Sequence, residues 1–290
     1  MNRNMTSMML SALLLQGCGI ETRSEVVEQK YTNHASKYVT VDGKRVHYRD
    51  EGQGEVVILL HGTSSSLHAW DQWTQILKQD YRVVRMDLPG FGLTGHLPEN
   101  RYEIVDDIAF LSAFTKQLNI EQAHFVGSSL GGRIGWEYSI EYPEKIKSLT
   151  LINALGYPQQ SWPPAIEMAQ WPVIDRIMEH VTPRFMFSDG LKEVYFDQQL
   201  VDAALIDRYY ELTTYQDNRQ GFTRRVKASL DEDSDKIKKY LHRLLFCGAW
   251  KIAIFLLKMR KSSSEILRTL MLSYLTTLDI YQWKRYLNSL

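Results

Sequence analysis

Short apolar runs alternate with stretches of helical periodicity through the first half of the chain. Val56-Val57-Ile58-Leu59-Leu60 is a continuous apolar run, which is typical of a strand buried on both faces of a sheet. Similar runs predict strands at Tyr81 to Met86, Phe125-Val126 and Ile146 to Ile152. Between them lie helical stretches such as Arg101 to Leu118, with apolar side chains on one face. This rhythm predicts an α/β fold, a mostly parallel sheet with helices on both faces.

The pattern differs before and after this region. Tyr38 to Tyr48 alternates apolar and polar positions, which predicts a β-hairpin turning at Asp42-Gly43. Residues 18–36 are polar and lack a period, so they are expected to be a tether. Residues 155–226 lose the strand–helix rhythm and are rich in aromatic residues and proline.

Composition narrows the class of protein. With 290 residues, of which 44% are hydrophobic, the chain can bury the core of one large domain with an insertion. A formal net charge of zero argues against nucleic acid as a partner. No apolar run reaches 18 residues, so no transmembrane span is expected. We predict neither a metal site nor a cofactor.

The amino terminus has the features of a targeting signal. Arg3 precedes an apolar stretch from Met5 to Leu15, followed by Leu15-Gln16-Gly17-Cys18. These last four residues resemble the lipobox of bacterial lipoproteins, although Gln16 is atypical. The resemblance implies a signal peptide over residues 1–17, lipidation of Cys18 and attachment to a membrane of the bacterial cell envelope. Cys247 would then be the only free cysteine, so no intrachain disulfide is expected.

The candidate chemistry lies at Gly127-Ser128-Ser129-Leu130-Gly131. A serine on a sharp strand-to-helix turn has its hydroxyl exposed at the carboxyl edge of the sheet, as a nucleophile requires. The five-residue pattern alone favours a turn of small residues with an incidental serine. The surrounding motifs favour the nucleophile.

Three motifs in order carry a family resemblance: His61-Gly62, Asp87-x-Pro-Gly-x-Gly, and Gly127-x-Ser129-x-Gly131. Over roughly residues 36–155 the chain resembles α/β-hydrolases, in particular small bacterial esterases, lipases and meta-cleavage hydrolases. The resemblance implies an α/β-hydrolase fold whose core comprises residues 37–154 and 227–290. Residues 155–226 resemble the helical cap of this family. The cap would cover the strand-to-helix turn from Gly127 to Gly131, called the elbow below, with an apolar, aromatic-walled pocket.

Site roles follow from the same resemblance. Ser129 matches the nucleophile, and the backbone N–H groups of Leu130 and Thr63 match the oxyanion hole, with Ser64 a weaker candidate than Thr63. His61 and Asp87 match residues that shape their turns. The implied activity is cleavage of a small apolar ester through an acyl-enzyme on Ser129.

Other activities of the same fold remain open. A C–C bond hydrolase or a serine-type haloperoxidase would use the same elbow. Haloalkane dehalogenases and epoxide hydrolases need an aspartate there, so Ser129 argues against them.

The rest of the expected triad is missing. The family's order is serine, acid, histidine, but only His180 and His242 follow Ser129, and neither lies in a Gly-His-x-Pro motif. An acid after the preceding strand would fall near Asn153, which is not a carboxylate. If the carboxyl-terminal tail is genuine, a catalytically inactive binding lipoprotein is the alternative.

The tail itself changes character. Residues 240–290 contain no proline, one glycine, and 8 Lys and Arg against 2 Asp and Glu. A shifted reading frame joins the last base of each codon to the first two bases of the next. In this frame, the codon boundaries from Tyr240 to Ile252 can encode Pro-Thr-Leu-x-Leu-Trp-Gly-x-Glu-Asp, the family's acid motif. Those from Leu278 to Lys284 accommodate Gly-His-x-Pro-Met-Glu, its histidine motif. We therefore expect a frameshift just before Tyr240, the alternative being a real but divergent tail.

Overall fold

The computed structural model describes residues 24–156, 162–195 and 197–229. A six-stranded sheet in the order β1-β2-β4-β3-β5-β6 forms the centre of this part of the chain. The strands are β1 (Ser36–Val41), β2 (Lys44–Glu51), β3 (Glu55–Leu60), β4 (Tyr81–Met86), β5 (Ala123–Ser128) and β6 (Ile146–Ile152). The α-helices are α1 (Ser24–Tyr31), α2 (Asp71–Leu77), α3 (Ile104–Gln117), α4 (Leu130–Glu141), α5 (Pro164–Gln170), α6 (Ile174–His180), α7 (Arg184–Val194), α8 (Ala203–Thr214) and α9 (Asn218–Ser229).

The sheet is mixed but mostly parallel. Strands β3, β4, β5 and β6 run parallel, and the hairpin of β1 and β2 joins antiparallel to β4. The hairpin turns at Asp42 and Gly43, both with positive φ (48° and 77°), as a tight primed turn requires. The predicted hairpin and the predicted fold class are both confirmed.

Alternate residues of the central strand enter different layers of the core. Ile58 and Leu60 belong to the large cluster that includes α3 and α4, whereas Val57 and Leu59 pack with Trp70 and with α2. All four of these β3 side chains are fully buried. Because successive side chains of a strand point to opposite faces, a continuous apolar run is what a strand covered on both faces needs.

The amino-terminal segment is folded onto the domain. Helix α1 buries Val27 and Tyr31 in a cluster with Leu93, and the cap helix α8 contributes Leu212 to the same cluster. The prediction of a tether is therefore wrong for residues 24–36, which form α1 and the start of β1. A helix of eight residues is too short to be stable by itself, and its buried residues contact positions far along the chain.

Helices α5 to α9 occupy the stretch predicted to be a cap. The predicted boundary at residue 226 falls within α9. Arg225 of α9 is fully buried and donates to both carboxylate oxygens of Asp107 on α3 (2.6 and 2.9 Å) and to the carbonyl of Pro89 (2.9 Å). Gly221 of the same helix lies against Gly90. This last helix is therefore fixed to the core beside the turn that follows β4.

Several sequence predictions fall outside the described residues. These are the signal peptide over residues 1–17, the lipidated Cys18, and the frameshifted tail from Tyr240. Within the described ranges, no helix has both the length and the apolar character needed to cross a bilayer.

Candidate active site

Ser129 occupies the turn between β5 and α4 in a strained conformation, with φ 51° and ψ −115°. Three backbone hydrogen bonds hold it there. Its N–H donates to the carbonyl of Ile152 (2.9 Å), and its carbonyl accepts from the N–H groups of Arg133 and Leu155 (both 3.0 Å). A non-glycine residue in such a conformation persists only where its surroundings fix it, and this is common at functional sites.

The glycines of the elbow are required by close packing. A Cβ at Gly127 would overlap the backbone of Gly131, and one at Gly131 would overlap the carbonyl of Leu60 at the end of β3. These contacts allow α4 to begin directly above the sheet. The motif predicted from sequence therefore has a steric explanation.

Two backbone segments flank the serine. Leu130 is the first residue of α4, where N–H groups have no acceptor within the helix and the helix dipole favours negative charge. On the other side lies Gly62, where a Cβ would be 3.1 Å from the Cβ of Ser129 and 3.7 Å from its Oγ. Thr63 follows Gly62, and Ser64 then turns the chain with φ 57°. Ser129 and Thr63 are both partly exposed.

His61 is held by hydrogen bonds on both ring nitrogens. Its Nδ1–H donates to the carbonyl of Gly62 (2.8 Å), and its Nε2 accepts from the N–H of Leu88 (2.9 Å). Burial lowers the pKa of this imidazole, so the ring is neutral at pH 7. The ring therefore shapes the loop and is not placed to take a proton from Ser129.

Asp87 is fully buried and is surrounded by donors. Its carboxylate accepts from the backbone N–H groups of Leu67 (2.7 Å) and Leu93 (2.9 Å) and from Nδ1 of His47 (2.7 Å). Burial acts to raise its pKa, but the hydrogen bond from His47 and the interactions with the neighbouring imidazoles outweigh this and lower the pKa well below its usual range. Asp87 thus ties three separate segments together as an ionised carboxylate.

The cap closes tightly on the loop that follows Thr63. A small space of about 10 Å³ lies there, lined by Ser64, Phe91, Tyr209, Phe222 and others but not by Ser129. The Ser65 hydroxyl lies 3.3 Å from that of Tyr209 on α8. The aromatic side chains of Phe91, Tyr209 and Phe222 border this space, which holds about one water molecule. The predicted pocket over Ser129 stays a prediction.

No histidine or carboxylate among the described residues is hydrogen-bonded to Ser129. His180 is exposed at the end of α6, and His242 lies outside the described residues. Asn153 follows β6 directly, is exposed, and has φ 45°. Within the described residues, no group of three or more metal-binding side chains is found either.

The sequence alone did not identify the side chains that bind Asp87 and Asp107 and so hold this region in place. His47 is 40 positions from Asp87, and Arg225 is 118 positions from Asp107. No local spacing connects such pairs, because the contacts exist only once the hairpin and the cap are packed. An alignment that showed each pair varying together would be the signal that identifies them.

Known proteins share this architecture. A 2-hydroxy-6-oxo-6-(2'-aminophenyl)hexa-2,4-dienoic acid hydrolase of Metapseudomonas resinovorans is 25% identical over 224 residues, covering 74% of this chain and 74% of that protein. A 2-hydroxy-6-oxononadienedioate/2-hydroxy-6-oxononatrienedioate hydrolase of Comamonas testosteroni is 32% identical over 130 residues, covering 42% of this chain and less than half (46%) of the relative. The structure of a meta-cleavage product hydrolase from Pseudomonas fluorescens IP01 covers 70% of this chain and 75% of its own, with a TM-score of 0.58 and 24% identity, and so shows a shared fold.

The family described as alpha/beta hydrolase fold matches residues 55–239, from the first residue of β3 to beyond the cap helices. This match spans more than half of the chain and includes all three motifs identified in the sequence. The strand-to-helix elbow and the parallel strands around it agree with that assignment. The chain therefore belongs to the alpha/beta hydrolase fold family.

Proposed function

We propose that the protein is a serine hydrolase that cleaves carboxylic esters of small apolar substrates through an acyl-enzyme on Ser129. The observation that carries this proposal is the strained, partly exposed Ser129 at the glycine-walled elbow. Its Oγ would attack the ester carbonyl carbon, the alcohol would leave, and water would then cleave the acyl-enzyme.

The backbone N–H groups of Leu130 and Thr63 would stabilise the oxyanion formed in each step. Leu130 supports this role as the first residue of α4, and Thr63 supports it as the neighbour of Gly62, which packs on Ser129. Loss of one such donor typically costs about 3 kcal/mol of transition-state stabilisation.

Cleavage of a C–C bond is the second candidate. Both relatives described above are named as hydrolases of 2-hydroxy-6-oxo-diene acids, and one aligns over 74% of this chain. Such a reaction would use the same elbow serine and the same amide donors. Only the substrate distinguishes the two proposals.

We also propose that the missing histidine and acid are encoded in the shifted frame from about Tyr240. The family match ends at residue 239, one residue before the change in composition. A serine hydroxyl without an adjacent base is a weak nucleophile, so the chain as written should turn over slowly. Knock-out of the triad histidine in a serine hydrolase costs up to about 10⁶-fold in kcat.

The test compares two proteins. One is the chain as given, and the other is translated after the frame is restored within the codons for Lys238 to Tyr240. We expect the restored protein to hydrolyse p-nitrophenyl acetate and butyrate at least about 100-fold faster, and its Ser129→Ala variant to lose that activity. A panel of esters and 2-hydroxy-6-oxo-dienoates assigns the substrate class. Equal activity of the restored protein and its Ser129→Ala variant would refute the nucleophile, and no activity in either protein would favour a binding lipoprotein.

Membrane attachment through Cys18 is a separate proposal that rests on the lipobox-like sequence. Multiple acyl chains on this cysteine would hold the protein to a membrane of the cell envelope. Expression in bacteria with radiolabelled palmitate should label the protein and leave a Cys18→Ser variant unlabelled. A soluble, unlabelled parent protein would contradict it.

A further inference from the structure

Ser36, the first residue of β1, is hydrogen-bonded to His47, and the ring of His47 is in turn hydrogen-bonded to Asp87. Ser36 and His47 lie on the same face of the hairpin, because Ser36 pairs with Arg49 and Tyr38 pairs with His47 in the antiparallel register. The Oγ of Ser36 lies 3.0 Å from Nε2 of His47. Nδ1 of the same ring lies 2.7 Å from the Asp87 carboxylate.

The directions of these hydrogen bonds are fixed by Asp87. An ionised carboxylate only accepts hydrogen bonds, so the proton of a neutral His47 ring is on Nδ1. Nε2 therefore carries a lone pair and accepts the hydroxyl proton of Ser36. This is the arrangement in which a histidine takes a proton from an attacking serine while an aspartate holds its tautomer.

Two further donors point at the same oxygen. The N–H of Asn33 lies 3.2 Å from the Oγ of Ser36, and Nε of Arg49 lies 3.3 Å from it. Both would stabilise negative charge on that oxygen as the proton leaves. Arg49 is almost fully buried, so its charge acts with little screening.

The serine is accessible. Ser36 is partly exposed, and its partners Asn33 and Arg49 line an open cavity of about 650 Å³ beside helix α8. That volume would hold a small molecule. Ser36 does not itself line this cavity but is hydrogen-bonded to two residues that do, and Ser129 does not line it either.

We propose that Ser36 is an activated nucleophile, distinct from Ser129, that is covalently modified by small acyl or phosphonyl electrophiles through the base His47. With a fluorophosphonate, the Oγ–P bond forms, the P–F bond breaks, fluoride leaves, and the hydroxyl proton passes to Nε2 of His47. With an activated ester, the Oγ–acyl bond forms and the alcohol or phenol leaves in the same way.

The experiment treats the full chain carrying Ser129→Ala with a small alkyl fluorophosphonate and maps the modified peptides by mass spectrometry. The Ser129→Ala background separates this proposal from the proposed function, since the elbow can no longer react. Ser188 on α7 is the internal control, because it is also partly exposed but has no hydrogen bond to any histidine in the part of the chain that the structure describes. We expect Ser36 to be labelled at least about 10-fold faster than Ser188.

Two variants extend the test. Ser36→Ala should abolish the label on that peptide, and His47→Gln should reduce the Ser36 rate to that of Ser188. If His47→Gln fails to fold, the ratio of Ser36 to Ser188 in the parent protein decides alone. Labelling of Ser36 no faster than Ser188, or unchanged in a folded His47→Gln variant, would overturn the proposal.

Discussion

Gly131 at the start of α4 packs on the main-chain carbonyl of Leu60, so closely that a Cβ on the glycine would overlap the carbonyl oxygen. Leu60 ends the central strand β3, which also pairs with β5 through Gly127. The position of Ser129 therefore depends on a contact between two backbones that no side chain can enter. This contact links the stability of the sheet to the geometry of the elbow.

Substitution of Gly131 by alanine should destabilise the protein. The new methyl group meets rigid backbone and not the end of a flexible side chain, so we expect the free energy of unfolding to fall by roughly 3 kcal/mol. Urea denaturation measures this loss. Gly190→Ala is the matched control, since nothing lies within 4 Å of a Cβ there in helix α7. Alanine should stabilise that helix by about 0.5–1 kcal/mol, and a similar loss in both variants would contradict the steric argument.

The elbow and the central strands could be predicted because their signals are local. A continuous apolar run indicates β3, and a glycine-flanked serine indicates the turn. Each of these signals consists of residues that are close together in the sequence. Helix α1 could not be predicted, because Val27 is buried by Leu93 and Leu212, which are distant in sequence. For the same reason, no residue pattern near Arg225 indicated Asp107 as its partner. Tertiary packing determines the structure of α1 and the partner of Arg225, whereas local sequence patterns determine β3 and the elbow.

The buried pair of Arg225 and Asp107 leads to a second prediction. Arg225→Met removes the cation and leaves the Asp107 carboxylate buried, which should lower the free energy of unfolding by about 3–5 kcal/mol. The double variant with Asp107→Leu removes both charges and should recover a large part of that loss. Chemical denaturation of the parent, both single variants and the double variant gives the coupling. A double variant as unstable as Arg225→Met alone would show that the carboxylate was not the source of the penalty.

Acid should destabilise the protein through His68. Burial lowers the pKa of this imidazole to about 4, and the nearby Arg49 adds to the effect although Asp87 opposes it. The unfolded chain, with a histidine pKa near 6.5, binds more protons than the folded state between about pH 6.5 and 4. The free energy of unfolding should therefore decrease as the pH falls through this window, by at most about 1.4 kcal/mol per pH unit from this residue.

His68→Gln tests this contribution. Denaturation measured from pH 7 to pH 4 should show a shallower decrease in the variant than in the parent. His34→Gln is the matched control, because His34 is exposed, and it should leave the slope unchanged. Parallel pH profiles for the parent and His68→Gln would exclude His68 as a source of acid sensitivity. Because His61 is also buried with a lowered pKa, the difference between parent and variant, and not the absolute slope, isolates His68.

Two adjacent valines of helix α1 distinguish the contribution of packing against the domain from the contribution of helix propensity. Val27 is fully buried in the cluster formed with Leu93 and Leu212, whereas Val26 is 53% exposed. Val27→Ala should lower the free energy of unfolding by about 2 kcal/mol, since it removes methyl groups from a packed site. Val26→Ala should change it by less than about 0.5 kcal/mol, since alanine favours the helix and little packing is lost. Urea denaturation measures both changes, and amide hydrogen exchange over residues 24–31 shows whether α1 opens by itself. Equal effects of the two substitutions would mean that α1 is not held by its buried face, and the structural account of the amino-terminal segment would fail.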